Sequence, residues 1–373
     1  MKMGKISLVA LVLCQIIACG AVGRAAACTG VSLQAADGAV VYGRTMEWGN
    51  YDLGSRVNIV PRGVELIGAT PDGKPGHKWS TKLGVVGVDC LGKDLLLDGM
   101  NEAGLTVGAF YHPGFAEYGP YGPADAAKTI SPSDVTTFIL SQFATIEQTR
   151  QGMAKVLVAP VVEPTLGFPF PVHFLVTEPS GKAIVIEFLK GKMVIFDNPL
   201  GVITNAPSFD WHLTNLRNYI NLSPTSLANK KIRGLELTPV GVGSGMIGLP
   251  GDFTPPSRFV RAVTFTQTAR PTADGPETIY EFFRIMDNFN LPMHAGEGPK
   301  DAAQSTRGMR SSTLWTTAYD TKNKVLYYHT QHNRRVRKVE VGAIDFGALK
   351  GGPRHIPLDK VKAQDIEDVT PKF

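Results

Sequence analysis

The chain has 373 residues, with 43% hydrophobic and 19% charged content and a formal net charge of +5. Those values are ordinary for a folded globular protein and exclude a disordered, collagen-like or small disulfide-stapled chain. At this length a sizeable core can be buried without covalent staples.

The first 27 residues differ from the rest. Lys2 and Lys5 make a short positive region, residues 6–22 are almost all apolar or small, and Ala25-Ala26-Ala27 precedes Cys28. This is the pattern of a secretory signal peptide with small residues at −1 and −3 of the cut, so cleavage before Cys28 and export to the periplasm or medium are expected. The segment holds Lys2, Lys5 and Arg24 but no acid, so 35 bases remain against 33 acids. That near-balance predicts no nucleic-acid partner, and loss of the leader predicts no stable membrane insertion. A rival processing site is Ile16-Ile17-Ala18-Cys19, which loosely resembles a lipoprotein box and would leave a lipid anchor on Cys19.

In the chain after the leader, residues 28–47 read as a hairpin turning at Asp37-Gly38, and residues 83–110 as three further strands. Residues 114–132 read as a long surface loop. Ser131-Pro132-Ser133-Asp134 predicts a helix start, and Thr145-Ile146-Glu147-Gln148 predicts a second helix reaching about residue 156. Strands are predicted over 172–177, 183–189, 193–196 and 202–204, a last helix over 276–288, and a strand pair over 315–330. Residues 240–257 read as a loop. Clustered strands with segregated helices argue an α+β fold, with 28–373 as one domain.

Four cysteines occur, and Cys14 and Cys19 lie in the leader. Cys28 and Cys90 are left, either paired in a disulfide or free, with Cys90 in an apolar strand-like run. A free Cys28 at the new N-terminus would carry a thiol and an α-amine together. The α-amine titrates near ~7.7–8.0, so a useful fraction is neutral base at physiological pH and can take the thiol proton. The eight histidines show no H-E-x-x-H or other ligand spacing, so neither a metal nor a cofactor is expected. There is no G-x-S-x-G elbow and no phosphate-binding loop.

Several segments, in order, are similar to the choloylglycine hydrolase family, which includes conjugated bile salt hydrolases and penicillin V acylases. They are Cys28-Thr29-Gly30, Gly43-Arg44-Thr45-Met46-Glu47-Trp48, Gly99-Met100-Asn101-Glu102-Ala103-Gly104-Leu105, and Thr204-Asn205-Ala206-Pro207-Ser208-Phe209-Asp210. Asn215-Leu216-Arg217-Asn218-Tyr219, Leu249-Pro250-Gly251-Asp252, Pro256-Ser257-Arg258-Phe259 and residues 317–328 extend the likeness over essentially all of 28–373. The resemblance implies a four-layer αββα fold with two packed antiparallel sheets, of the N-terminal-nucleophile hydrolase type. It implies hydrolysis of a linear C–N amide, a bile salt conjugate or a penicillin V-like N-acyl amide, through a thioester on Cys28.

The same resemblance implies the site. Arg44 would lie beside the thiol and favour thiolate. Glu47, where the family usually has aspartate, would orient the α-amine. Asn205 and the Tyr111 N–H would bind the oxyanion, and Arg258 would sit near the nucleophile. Tyr111 stands where bile salt hydrolases commonly have asparagine. Trp48, Phe110, Phe115 and Tyr118 are candidate walls for an apolar acyl group. A homotetramer is implied by analogy alone. The extra methylene of Glu47 leaves a catalytically degenerate binding protein as the alternative, beside the lipid-anchored one.

Overall fold

In a computed structural model, residues 28–49, 52–293, 295–297 and 310–371 are described. The leader, its cleavage site, Cys14 and Cys19 lie outside them. The Asp37-Gly38 turn forms as its chemistry requires. Gly38 adopts φ +82°, and the Asp37 carboxylate accepts from the Ala39 N–H at 2.8 Å. This turn joins β1 (Cys28–Gln34) to β2 (Val40–Trp48) in antiparallel register, with Cys28 opposite Met46 and Gly30 opposite Arg44.

The other principal strands are β3 (Arg56–Val60), β4 (Val85–Cys90), β5 (Leu95–Asn101), β6 (Thr106–Tyr111), β7 (Val172–Thr177), β8 (Ala183–Leu189), β9 (Lys192–Asp197), β10 (Arg310–Asp320), β11 (Val325–Thr330), β12 (Arg337–Glu340) and β13 (Arg354–Pro357). One sheet runs β1-β2-β10-β11-β12 and the other β9-β8-β7-β6-β5-β4-β3-β13. Every pairing along both paths is antiparallel.

Side-chain alternation decides what lies between the sheets. Tyr42 of β2 donates to Asp98 of β5 at 3.0 Å, and Thr317 of β10 donates to the same carboxylate. The face of the first sheet that carries Tyr42 therefore meets the second sheet. Cys28, Gly30, Arg44 and Met46 share that inner face by the two-residue period, while Thr29, Gly43 and Glu47 point outward. Gly30 permits the close approach, because a Cβ there would enter the Phe110 ring.

Helices cover both outer faces. α1 (Val135–Gln142) packs on β4, β5 and β6. α2 (Ile146–Met153) starts at Thr145, whose side chain accepts from the Gln148 N–H, while Gln148 reaches back to the Ala144 N–H. α3 (Phe209–Leu216) packs against α4 (Pro255–Thr268), α4 lies on β1, and α5 (Gly275–Met286) lies on β2 and β10. The result is the expected αββα order.

Three expectations are corrected. The helix after Ser131 starts later, at Val135, because the Asp134 carboxylate accepts from both the N–H and the hydroxyl of Ser131. The strand expected over 202–204 is reduced to one bridge, Gly30 with Ile203. Residues 240–257 are not all loop, since α4 begins at Pro255.

Candidate active site

Cys28 is the first residue of β1, on the outer edge of its sheet, and only 1% exposed. The edge is not bare. Gly30 donates to the Ile203 carbonyl at 2.9 Å and accepts from the Ile203 N–H at 3.0 Å. Two residues back along one antiparallel segment and two forward along the other lie Cys28 and Asn205. The Cys28 backbone N–H accordingly donates to Asn205 Oδ1 at 2.9 Å.

The Asn205 carboxamide is held at both ends. Oδ1 also accepts from Arg258 Nη2 at 2.6 Å, and Nδ2 donates to the Tyr111 carbonyl at 2.7 Å. Because the next residue, His112, donates its N–H to Pro171, the Tyr111 N–H and carbonyl point to the opposite edge of the strand. That edge is the one Asn205 occupies. Arg258 enters from α4 and donates from Nη1 to the Cys28 carbonyl at 2.5 Å and to Thr29 Oγ1 at 2.9 Å. Its Nε donates to the Phe253 carbonyl at 2.9 Å. Burial lowers the Arg258 guanidinium to about 10, against the pull of Glu47 and Cys28, so it stays charged near neutrality.

Arg44 is fully buried between the sheets. It donates to the carbonyls of Thr45, Leu97 and Ala109, and Nη2 lies 3.3 Å from Met46 Sδ. Its guanidinium carbon sits 4.4 Å from the Phe110 ring centre. The Cys28 thiol is raised above its ordinary value, with burial the largest cause. Arg44 pulls it down as expected, but burial wins, so the resting group is a thiol. Cys28 and Cys90 are both free, which settles the disulfide alternative.

Glu47 points to the helical side, opposite Thr313 in register, and Oε1 accepts from Thr313 Oγ1 at 2.8 Å. Burial raises its carboxyl to about 7, with Arg258 opposing. Among the described residues, its Oε2 has no hydrogen-bond partner. Glu47 is thus not bonded to the Cys28 nitrogen, which Asn205 holds instead.

The four expected wall residues separate. Trp48 meets the Tyr111 ring edge-on, with centroids 5.5 Å apart. Trp48 also borders a narrow apolar cleft with Met46, Leu53, Leu97, Leu166 and Phe170. Phe110 is sealed between the sheets under Arg44. Tyr118 is buried and pins β7, donating to the Phe170 carbonyl and accepting from the Val172 N–H at 3.0 Å. Phe115 is 42% exposed and stacks on His112.

One cluster has no signal in the sequence: His112, His173 and Glu187 bring their ligand-type atoms within 4.8 Å of one another in full burial. It does not suit a metal ion. The two imidazoles stack face to face, 4.1 Å apart and 7° from parallel, so their in-plane lone pairs cannot converge. Their Nε2 atoms are already directed at backbone carbonyls of 207 and 204.

A buried thiol at a strand start, with a carboxamide and two enclosed guanidiniums beside it, supplies the parts of a thiol-based acyl-transfer site. A family model described as linear amide C–N hydrolases, choloylglycine hydrolase family, matches residues 28–350, and the chain belongs to that family. It is 28% identical over 320 residues to a bile salt hydrolase/transferase of Clostridium perfringens, covering 84% of this chain and 92% of that one. It is 24% identical over 335 residues to a penicillin V acylase of Pectobacterium atrosepticum, covering 84% and 80%. A solved variant of conjugated bile acid hydrolase from Clostridium perfringens superposes with a TM-score of 0.78 at 25% identity, covering 92% of this chain and all of that one.

Proposed function

We propose that the chain is an exported amidase whose leader is removed before Cys28, and that Cys28 then supplies both nucleophile and base. The observation that carries this is the Cys28 nitrogen, held 2.9 Å from an Asn205 carboxamide that also reaches Tyr111. In the uncut chain that nitrogen is a peptide N–H and no base. Cutting the Ala27–Cys28 bond makes it an amine. The amine takes the Sγ proton and the sulfur attacks the substrate carbonyl carbon. Asn205 Nδ2, which has a second hydrogen beyond the one given to Tyr111, and the Tyr111 N–H stabilise the oxyanion. The intermediate collapses, the C–N bond breaks, and the ammonium returns its proton to the leaving amine. Water then opens the thioester with the same amine as base, releasing the acid and the thiol. The partnerless Glu47 Oε2 is an acceptor for the ammonium.

The substrate is an N-acyl amide with an apolar acyl part, a bile salt conjugate or a penicillin V-like amide. The Trp48–Tyr111 pair and the apolar cleft support that class. The exposed apolar side chains Leu235, Val240, Val242 and Phe253 support assembly into a homotetramer, which light scattering would test. Intact mass and N-terminal sequence of the exported protein test the processing, with Cys28 expected first. Penicillin V and glycocholate hydrolysis test the chemistry, with Cys28→Ala inactive. A lipidated Cys19, or turnover of neither substrate by a protein starting at Cys28, would overturn the reading.

A further inference from the structure

Residues 204–207 carry Asn205 through a stretch that is buried at 204 and 205 and half-buried at 206 and 207, with no strand partner among the described residues beyond the bridge at Ile203. Thr204 is 0% and Asn205 1% exposed. Buried carbonyls without a ladder need donors from elsewhere. Three imidazoles supply them. His173 Nε2 lies 3.2 Å from the Thr204 carbonyl, His212 Nε2 3.0 Å from the Asn205 carbonyl, and His112 Nε2 3.3 Å from the Pro207 carbonyl. A carbonyl only accepts, so each Nε2 carries the proton. Glu187 Oε1 completes the frame: it accepts from the Phe209 N–H at 3.0 Å and, as the protonated carboxyl, donates to His173 Nδ1 at 2.9 Å.

These donors come from three separate elements: β7, the residue after β6, and α3. The rings are themselves fixed. His112 and His173 stack on each other, the Phe110 ring meets His173 edge-on, and His212 stacks on Phe259 of α4 at 4.6 Å. Among the described residues, Nδ1 of His112 and of His212 has no partner. With the proton on Nε2 this leaves only an acceptor lone pair unmet, and burial keeps both rings neutral.

We propose that His112, His173 and His212, framed by Glu187, are positioning residues for amide hydrolysis: they clamp the carbonyls of residues 204, 205 and 207 and so hold the Asn205 carboxamide in line with Cys28. None of them touches the reacting atoms. This rests on the reading of Asn205 as oxyanion donor. A displacement near 1 Å at such a donor costs on the order of 10²-fold in rate, so the clamp acts on kcat more than on KM.

The test compares His212→Leu with His212→Gln, whose side-chain amide can donate where Nε2 did. The processed, exported enzyme is assayed on penicillin V and glycocholate for kcat and KM, and Cys28 alkylation by iodoacetamide is timed in parallel. Alkylation forms no oxyanion and reports only a folded, reactive thiol; it is read by peptide mass at Cys28, apart from Cys90, whose thiol burial also pushes up. His212→Leu should lose about 10- to 100-fold in kcat, with KM and alkylation within about twofold, and His212→Gln should recover most of it. His112→Leu against His112→Gln gives the same contrast at a second carbonyl if the first leucine variant does not fold. Wild-type kcat in the leucine variants, or equal loss in the glutamine ones, overturns the clamp while leaving the amidase reading intact. A wild type that hydrolyses neither substrate overturns both.

Discussion

Cys28 and Asn205 are 177 positions apart in the chain, yet the backbone nitrogen of one donates to the side-chain oxygen of the other at 2.9 Å. The contact is a consequence of register: the Gly30–Ile203 bridge sets the two segments antiparallel, and the pair falls two residues further on. Asn205→Asp separates the roles of this side chain. An aspartate keeps an acceptor for Cys28 and for Arg258 but removes the Nδ2 donor. The variant should fold, alkylate at Cys28 normally, and lose about 10²–10³-fold in kcat. Activity within threefold of wild type would remove Asn205 from the oxyanion role.

Gly30 faces the second sheet, and an added methyl meets the Phe110 ring. Overfilling of this kind costs about 1–3 kcal/mol. Gly30→Ala should lower the urea midpoint accordingly, and Phe110→Leu in the same chain should restore part of it. Additive losses in the double variant would show that the methyl does not act through Phe110.

The hairpin that pairs Cys28 with Arg44's strand was legible because Asp37-Gly38 is a local turn signal flanked by alternating apolar residues. The start of α2 was legible too, through Thr145-Ile146-Glu147-Gln148, and α5 begins at Gly275, one residue before its expected start. α4 was not. Its buried face includes Arg258 and Arg261, so its charged residues do not mark the solvent side, and the apolar stripe is interrupted where the site needs cations. The histidine clamp was illegible for another reason. His112, His173 and His212 are 61 and 39 positions apart, and their targets are backbone carbonyls, which leave no trace in side-chain spacing. Asn205, Tyr111 and Arg258 were reached only through likeness to a family, since no short-range pattern links them.

Among the described residues, Arg258 is the only guanidinium bonded to the Cys28 carbonyl, and it also acts on the buried Glu47 carboxyl. Arg258→Met would strip the Cys28 carbonyl, Thr29 Oγ1 and Asn205 Oδ1 of a donor and leave Glu47 with less compensation. Breaking one partner of such a buried set costs about 3–5 kcal/mol. Glu47→Gln added to Arg258→Met removes the uncompensated charge and should recover a measurable part. A double-mutant cycle with zero coupling would show that the two groups do not sense each other.

Stability against pH follows from groups shifted in opposite directions. Burial raises Glu47 and Glu187 to about 7 and Asp98 to about 6. It lowers His112, His173 and His329 to about 3 and His212 to about 4. For the raised acids the folded state binds more protons than the unfolded one between their ordinary values and about 6–7, so stability falls as pH rises through that window. For the depressed histidines the unfolded state binds more protons between about 3–4 and their ordinary ~6.5, so stability falls as pH drops through that window. Between about 4.5 and 6.5 the two sets oppose each other and the urea midpoint should change little. Below about 4.5 the glutamates no longer offset the histidines, and several kcal/mol should be lost within about one pH unit. His329 isolates the effect away from the site, where it faces Phe283 and the cations Arg334 and Arg337. His329→Gln cannot take up a proton on unfolding, so its midpoint should fall less steeply below pH 4.5 than that of the wild type. Parallel curves for the two proteins would mean that neutral burial of this imidazole is not a source of the acid sensitivity.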